Sequence, residues 1–231
     1  IIDKCISSLR SGNTHYTTSA GLESFRKAAA EITLESRGFL PDLDQILVTQ
    51  GANIQIYYSL ACLANPNDEV ITIDPCFVSY KSIMKFIGIK PVFTPLLEKN
   101  QFKIDIDDLK TKISKKTKAI LINSPHNPTG AVVSMDFFKE VVDFARRNDI
   151  IVIHDLAYAD IVFDGYQAPS LLQVKGAKDV GIEFLSLSKS HNMAGWRCGF
   201  AVGNRDLINA LAKIKGYYDY GIFAPIQIAS I

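Results

Sequence analysis

No excess of either charge marks this chain: 25 Lys and Arg stand against 24 Asp and Glu in 231 residues, a formal charge of +1. A near-neutral protein has no whole-molecule field to draw it onto nucleic acid or an anionic membrane, so neither is expected as a partner. Cysteine is sparse as well. Cys5, Cys62, Cys76 and Cys198 lie far apart, with no C-x-x-C pair and no clustered histidine. That pattern argues against a disulfide framework and against structural zinc, and makes a reducing cytoplasm the simplest compartment. No run approaches the roughly 20 apolar residues of a membrane helix, and no secretory signal opens the chain. P-loop and G-x-G-x-x-G strings are missing, as are internal repeats and low-complexity linkers. A small-molecule site on an ordinary globular chain, 48% hydrophobic and 21% charged, is the class that remains.

The ends are unusual. There is no initiator Met, and the apolar stretch from Ile222 to Ile231 stops without a polar tail, so a fragment of a longer protein is expected. Residues 1–20 read as a lead-in segment and 21–231 as one large domain, cut short at its C-terminus. Within it, short β-branched runs begin at Ile46, Glu69, Lys90, Lys118, Ile150, Ile182 and Gly199. Amphipathic stretches at about 21–37, 52–64, 77–87, 134–147 and 205–215 separate them, and Asp105 starts a shorter helix. Strands alternating with helices, several strands nearly all apolar, predict an α/β three-layer sandwich around a seven-stranded, mostly parallel sheet.

Ligands of such a sheet bind beyond the carboxyl ends of its strands. Five strand ends carry suggestive residues. Lys189 stands between two serines and eight residues before Arg197, either as a surface lysine of a Ser-rich turn or as a functional amine. An unprotonated lysine there can form a Schiff base with an aldehyde, and a neighbouring cation or a desolvated site lowers a lysine's pKa toward that state. Arg197 supplies both that cation and a fork of donors for phosphate. Asp155 ends an apolar strand and either pairs with a cationic ring nitrogen or caps a helix before Leu156. Tyr158, three residues on, either reaches the same ligand or is a core aromatic. Asn127 before Pro128 makes either an ordinary turn or a ligand contact, and Phe77 either stacks on a flat ring or packs in the core. Ala52 and Asn53, after Gly51, open a helix whose free N–H groups favour an anion. His126, His154 and His191 lack metal-ligand spacing, so no metal is expected.

Asn127-Pro128-Thr129-Gly130, the Asp155/Tyr158 pair, and Ser186-Leu187-Ser188-Lys189 followed by Gly195-Trp196-Arg197 resemble, in order and spacing, the fold-type I pyridoxal-phosphate enzymes, specifically the class I/II aminotransferases. The resemblance runs from the His15–Gly21 segment to the last residues. Asp155 to Gly165, Lys189 to Asn204 and Tyr217 to Gly221 look most like bacterial alanine-forming (glutamate–pyruvate) aminotransferases. Aspartate and LL-diaminopimelate aminotransferases look less close.

The resemblance implies the large cofactor-binding domain of a homodimeric enzyme. It moves an amino group between an L-amino acid, alanine or glutamate, and a 2-oxo acid by a ping-pong cycle. Lys189 would carry pyridoxal 5'-phosphate and shuttle the substrate proton. Asp155 would pair with the ring nitrogen, Tyr158 and Asn127 would bond the ring oxygen, and Phe77 would cover the ring. Arg197, Ser186, Ser188 and the Ala52–Asn53 backbone would hold the phosphate, with Tyr16 reaching the neighbouring subunit's phosphate. The chain departs from the family pattern in lacking the C-terminal small domain with its carboxylate-binding arginine, so the fragment is expected to turn over poorly. Two other readings share these motifs: a β-lyase or decarboxylase using the same lysine, and the aminotransferase-like ligand-sensing domain of a transcription regulator.

Overall fold

All seven β-branched runs become strands of one sheet: β1 (Ile46–Thr49), β2 (Glu69–Asp74), β3 (Lys90–Pro95), β4 (Thr117–Asn123), β5 (Ile151–Asp155), β6 (Gly181–Ser186) and β7 (Gly199–Gly203). The computed structural model describes residues 1–231. The spatial order is β1-β7-β6-β5-β4-β2-β3. Pairings are parallel from β3 through β6, while β7 is antiparallel to both β6 and β1, so β7 alone runs against the rest. β4 shows why these strands read as continuous apolar runs. Its Ala119 and Leu121 enter the core on one face and its Ile120 and Ile122 the core on the other.

In chain order the helices are α1 (Ile2–Arg10), α2 (Glu23–Arg37), α3 (Ala52–Leu63), α4 (Val78–Ile87), α5 (Ile106–Thr111), α6 (Met135–Asn148), α7 (Ala177–Val180), α8 (Leu187–Ser190), α9 (Arg205–Tyr218) and α10 (Ala224–Ala229). Phe25 and Ala29 of α2 share a core with Phe138, Val141 and Val142 of α6. Ile56 of α3, Tyr80 and Met84 of α4, and Leu207 and Leu211 of α9 share the other. The sheet therefore lies between two helical layers, the expected α/β sandwich. Local chemistry sets the helix ends: Ser134 accepts from the Phe137 N–H to start α6, and Asp105 accepts from Asp107 and Asp108 to start α5. No helix is long and apolar enough to cross a membrane.

Both ends of the chain differ from expectation. The lead-in contains α1 and the apolar end contains α10, and these two helices pack against each other. They pack chiefly on each other, with α10 also meeting α2, so neither is recognisable from its neighbours in sequence. Gln227 of α10 ties them in, its buried amide donating to Ile222 O at 2.7 Å and accepting from the Leu22 N–H at 2.7 Å.

The reversed strand decides where the ligand groups meet. Gly199, which opens β7, pairs with Thr49 and Ser186, the last residues of β1 and β6. Arg197, two residues earlier, is thereby delivered to the rim formed by the carboxyl ends of the parallel strands. The approach is close: a Cβ on Gly199 would stand 2.5 Å from Leu185 O.

Candidate active site

The rim encloses a cavity of roughly 170 Å³, and ten of the eleven residues singled out in the sequence line it. Tyr16 is the exception. It is 88% exposed, packs 5.9 Å from the Tyr220 ring, and borders a separate surface cleft.

Lys189 lies in α8, a single turn entered directly from β6. The Ser186 hydroxyl caps that turn, accepting from the Ser188 N–H at 3.2 Å and donating to the Ser188 hydroxyl at 2.9 Å. The Lys189 ammonium stands 5.8 Å over the centre of the Tyr158 ring. The residue is exposed, so of the two settings considered from sequence, a neighbouring cation or a desolvated site, this chain does not provide the second.

One end of the cavity is built from donors. Gly51, with φ 82° and ψ 177°, turns the chain from β1 into α3 and leaves the first-turn N–H groups of Ala52 and Asn53 facing the cavity end. Arg197 holds a left-handed backbone (φ 54°), and its Nη1 donates to Ala194 O at 2.9 Å. Longer contacts of 3.5 Å run from Nη1 to the Ser188 hydroxyl and from Nη2 to Gln50 O. Helix N-terminus, guanidinium and two serine hydroxyls thus converge as a cradle for an anion with several oxygens.

Asp155 lies at the other end, only 6% exposed. It does not cap a helix. The Leu156 N–H bonds to Phe184 O, extending the strand pairing, and residues 157–160 form turns instead. Burial pushes the Asp155 carboxyl above its ordinary value, opposed by a hydrogen bond from Tyr80 and another from the Ala157 N–H. Oδ2 accepts from the Tyr80 hydroxyl at 2.7 Å, and Oδ1 from Ala157 at 3.3 Å. No lysine or arginine offsets its charge, and the one cationic group that favours its ionised form, His154, lies behind it on β5, so the carboxylate has no cationic partner on the cavity side.

Between the two ends, the Asn127 N–H donates to Asn123 Oδ1 at 2.7 Å, while the Asn127 amide donates to the Tyr158 hydroxyl at 3.2 Å. The turn closes as expected, through the Gly130 N–H to His126 O at 2.8 Å. Its base is braced from below. His154, fully buried on the opposite face of β5 from Asp155, meets Glu183 Oε1 at 2.8 Å through Nδ1 and Ser124 O at 3.0 Å through Nε2. Glu183 also accepts from the Ser170 hydroxyl at 2.7 Å and the Leu171 N–H at 2.6 Å. Phe77 is half-buried at the cavity wall, its ring meeting the Tyr80 ring edge-on at 5.7 Å and 77°. Sequence reasoning missed Tyr80, Asn123 and the His154–Glu183 brace. Only the strand register that pairs Asn123 with Asp155 and His154 with Glu183 brings them together.

A larger cleft of about 530 Å³ adjoins the cavity and shares Asn127 and Tyr158 with it. Pro125, Val132, Ile161, Phe163 and Tyr166 line it, with no carboxylate, lysine or arginine among its walls.

The family model for aminotransferase class I and II matches residues 2–230. An LL-diaminopimelate aminotransferase of Halothermothrix orenii is 42% identical over 233 residues, covering 100% of this chain and 60% of its own length. The glutamate-pyruvate aminotransferase AlaC of Escherichia coli is 38% identical, covering 100% of this chain and 57% of itself. Among solved structures, an aromatic aminotransferase from Pyrococcus horikoshii superposes with a TM-score of 0.93 at 33% identity, over 99% of this chain and 61% of that one. The chain spans about 60% of the length of the curated relatives it matches.

Proposed function

Since the chain belongs to the aminotransferase class I and II family, we propose that it is the cofactor-binding part of an enzyme that transfers an amino group from an L-amino acid to a 2-oxo acid. The observation that carries this reading is the buried Asp155 carboxylate without a cation on its cavity side, set across one cavity from an anion cradle and a lysine amine. A flat molecule with a basic ring nitrogen at one end and a phosphate at the other suits both ends at once. Pyridoxal phosphate, the family's cofactor, has that form, and when bound it supplies an aldehyde that takes up amines and a ring that withdraws electrons.

In this reading Asp155 stabilises a proton on the ring nitrogen, which also removes the cost of its own unpaired burial. Asn127 Nδ2 and Tyr158 Oη point at the ring's phenolic oxygen, and Phe77 covers one ring face and excludes water. Arg197 Nη, the hydroxyls of Ser186 and Ser188, and the N–H groups of Ala52 and Asn53 hold the phosphate. Lys189 Nζ would anchor the cofactor and, once released, would carry the proton between the substrate α-carbon and the cofactor's C4′ carbon. Tyr16, exposed and remote from the cavity, serves the phosphate site of a second copy, making the enzyme a homodimer. The scattered cysteines suit a cytoplasmic location.

Alanine or glutamate as donor is the substrate reading, supported by likeness to AlaC. LL-diaminopimelate is the second reading, favoured by the 42% identity of that relative. An amino-donor screen on the full-length protein separates them. The site itself is tested by incubating the chain with pyridoxal phosphate, reducing with borohydride and mapping the modified peptide. Label on Lys189 is expected, and its loss in Lys189→Ala; label on any other lysine refutes the assignment. Turnover by the 231-residue chain is expected to fall well below that of the full-length protein.

A further inference from the structure

We propose that Tyr80 is the positioning residue of this site, its hydroxyl holding the Asp155 carboxylate ionised and aimed at the ring nitrogen while its ring edge sets the tilt of Phe77. This rests on the cofactor reading above. Phe77 is the N-cap of α4 and Tyr80 lies in its first turn, where the Tyr80 N–H donates to Phe77 O at 3.0 Å. The Tyr80 side chain is completely buried, and its Oη has Asp155 Oδ2 as hydrogen-bond partner at 2.7 Å. Its ring meets that of Phe77 edge-on. One residue thereby touches both the carboxylate and the ring cover while contributing no atom to the cavity wall.

A phenol donates a stronger hydrogen bond to an ionised carboxylate than to its neutral acid, so this bond favours the charged form against the pull of burial. Burial drives the Tyr80 phenol well above its ordinary value, so its hydroxyl stays protonated and the donor persists. Ala157 supplies one N–H to Oδ1, and the remaining acceptor capacity of Asp155 is open to the cavity. The other charged or titratable groups nearby do not replace Tyr80. His154 projects from the opposite face of β5 and is held by Glu183, Cys76 and Tyr158 flank the Tyr80 phenol, and Lys189 and Arg197 border the cavity without pairing with Asp155.

The test compares Tyr80→Phe, which keeps the ring against Phe77, with Tyr80→Leu, which removes ring and hydroxyl. In the cofactor-free protein, the carboxyl carbon resonance of Asp155 is followed against pH. Tyr80→Phe is expected to raise its midpoint by about one pH unit or more. Pyridoxal phosphate affinity, measured by absorbance across the same pH range, is expected to fall about tenfold near neutrality and further as pH drops. Tyr80→Leu falls further at every pH. In an Asp155→Asn background, Tyr80→Phe is expected to change affinity by less than about twofold. A purely structural role for Tyr80 would weaken binding equally in both backgrounds and leave the carboxyl midpoint in place; that result overturns the proposal. An unchanged pH profile of binding also overturns it, even if Lys189 is still labelled and the cofactor reading stands. Failure of the parent chain to bind pyridoxal phosphate overturns both.

Discussion

Gly51→Ala is the sharpest test of the anion cradle, because its cost divides into two parts that different measurements report. The first is backbone strain. At φ 82° and ψ 177° Gly51 occupies a region closed to residues with a Cβ, and forcing alanine into it costs about 1–3 kcal/mol. The second is displacement, since the new methyl would stand 2.8 Å from Arg197 Nη2 and 3.2 Å from Cζ. The guanidinium is the end of a flexible side chain, so it gives way before the backbone does. Arg197 is then moved off the line along which it would meet a phosphate. Losing one charge-assisted hydrogen bond costs about 1.5–3 kcal/mol, which corresponds to roughly 10- to 100-fold weaker binding. Urea unfolding reads the strain. The single tryptophan, Trp196, adjoins Arg197 and reports a titration with pyridoxal phosphate by its fluorescence. Gly38→Ala is the control: it also has positive φ, at 76°, but nothing lies within 4 Å of the added methyl. It is expected to lose about 1 kcal/mol of stability with unchanged affinity. If Gly51→Ala binds as tightly as the parent, or if Gly38→Ala weakens binding equally, the cradle geometry is refuted.

Two further predictions concern the buried acids. Burial raises the Asp155 carboxyl above its ordinary value, so the folded protein keeps that proton to higher pH than the unfolded chain. Without cofactor it therefore loses stability as pH rises from the ordinary aspartate range through the raised value. Asp155→Asn is expected to be more stable than the parent in urea at neutral pH, with the difference vanishing in acid, while its cofactor affinity falls; lower stability at neutral pH would disprove the unpaired-charge argument. Glu183→Gln strips the charge that His154, Ser170 and Leu171 share, and breaking a buried pair of this kind costs about 3 kcal/mol. A loss below about 1 kcal/mol in urea unfolding would show that the His154–Glu183 brace is not what supports Ser124.

The strands were legible because most are buried on both faces, the edge strand β3 being the exception. Runs such as Ala119 to Ile122 can satisfy two cores only as central strands. The cavity residues were legible for a related reason, since each follows a strand end in a topology whose rim is predictable. Contacts that depend on register or on distant chain ends were not legible. Tyr80 reads as a core aromatic of an amphipathic helix, and its partner lies 75 positions away. Asp155 reads equally well as a cap, until the Leu156 N–H is found bonded to Phe184 O. α1 and α10 were missed because each packs chiefly against the other, more than 200 positions away along the chain. Lys189 reads either as a surface residue of a Ser-rich turn or as an amine tuned by a neighbouring cation or a desolvated site, and it is exposed, since the sequence pattern that locates a lysine at a rim carries no information about what covers it.

The reversed direction of β7 gives the span between Lys189 and Arg197 a fixed gauge. Both ends are pinned to one rim, the first by β6 and the second by the pairing of Gly199 with Thr49 and Ser186. The interval from Lys189 to Arg197 is thus set by the strand register at its two ends, with Asn192 between them and Arg197 at its close both taking left-handed backbone. Surface connections elsewhere absorb added residues at little entropic cost. Here both ends are held, so added residues would have to loop out between them, and the distance from Lys189 to Arg197 is kept by the sheet and not by the length of the connection.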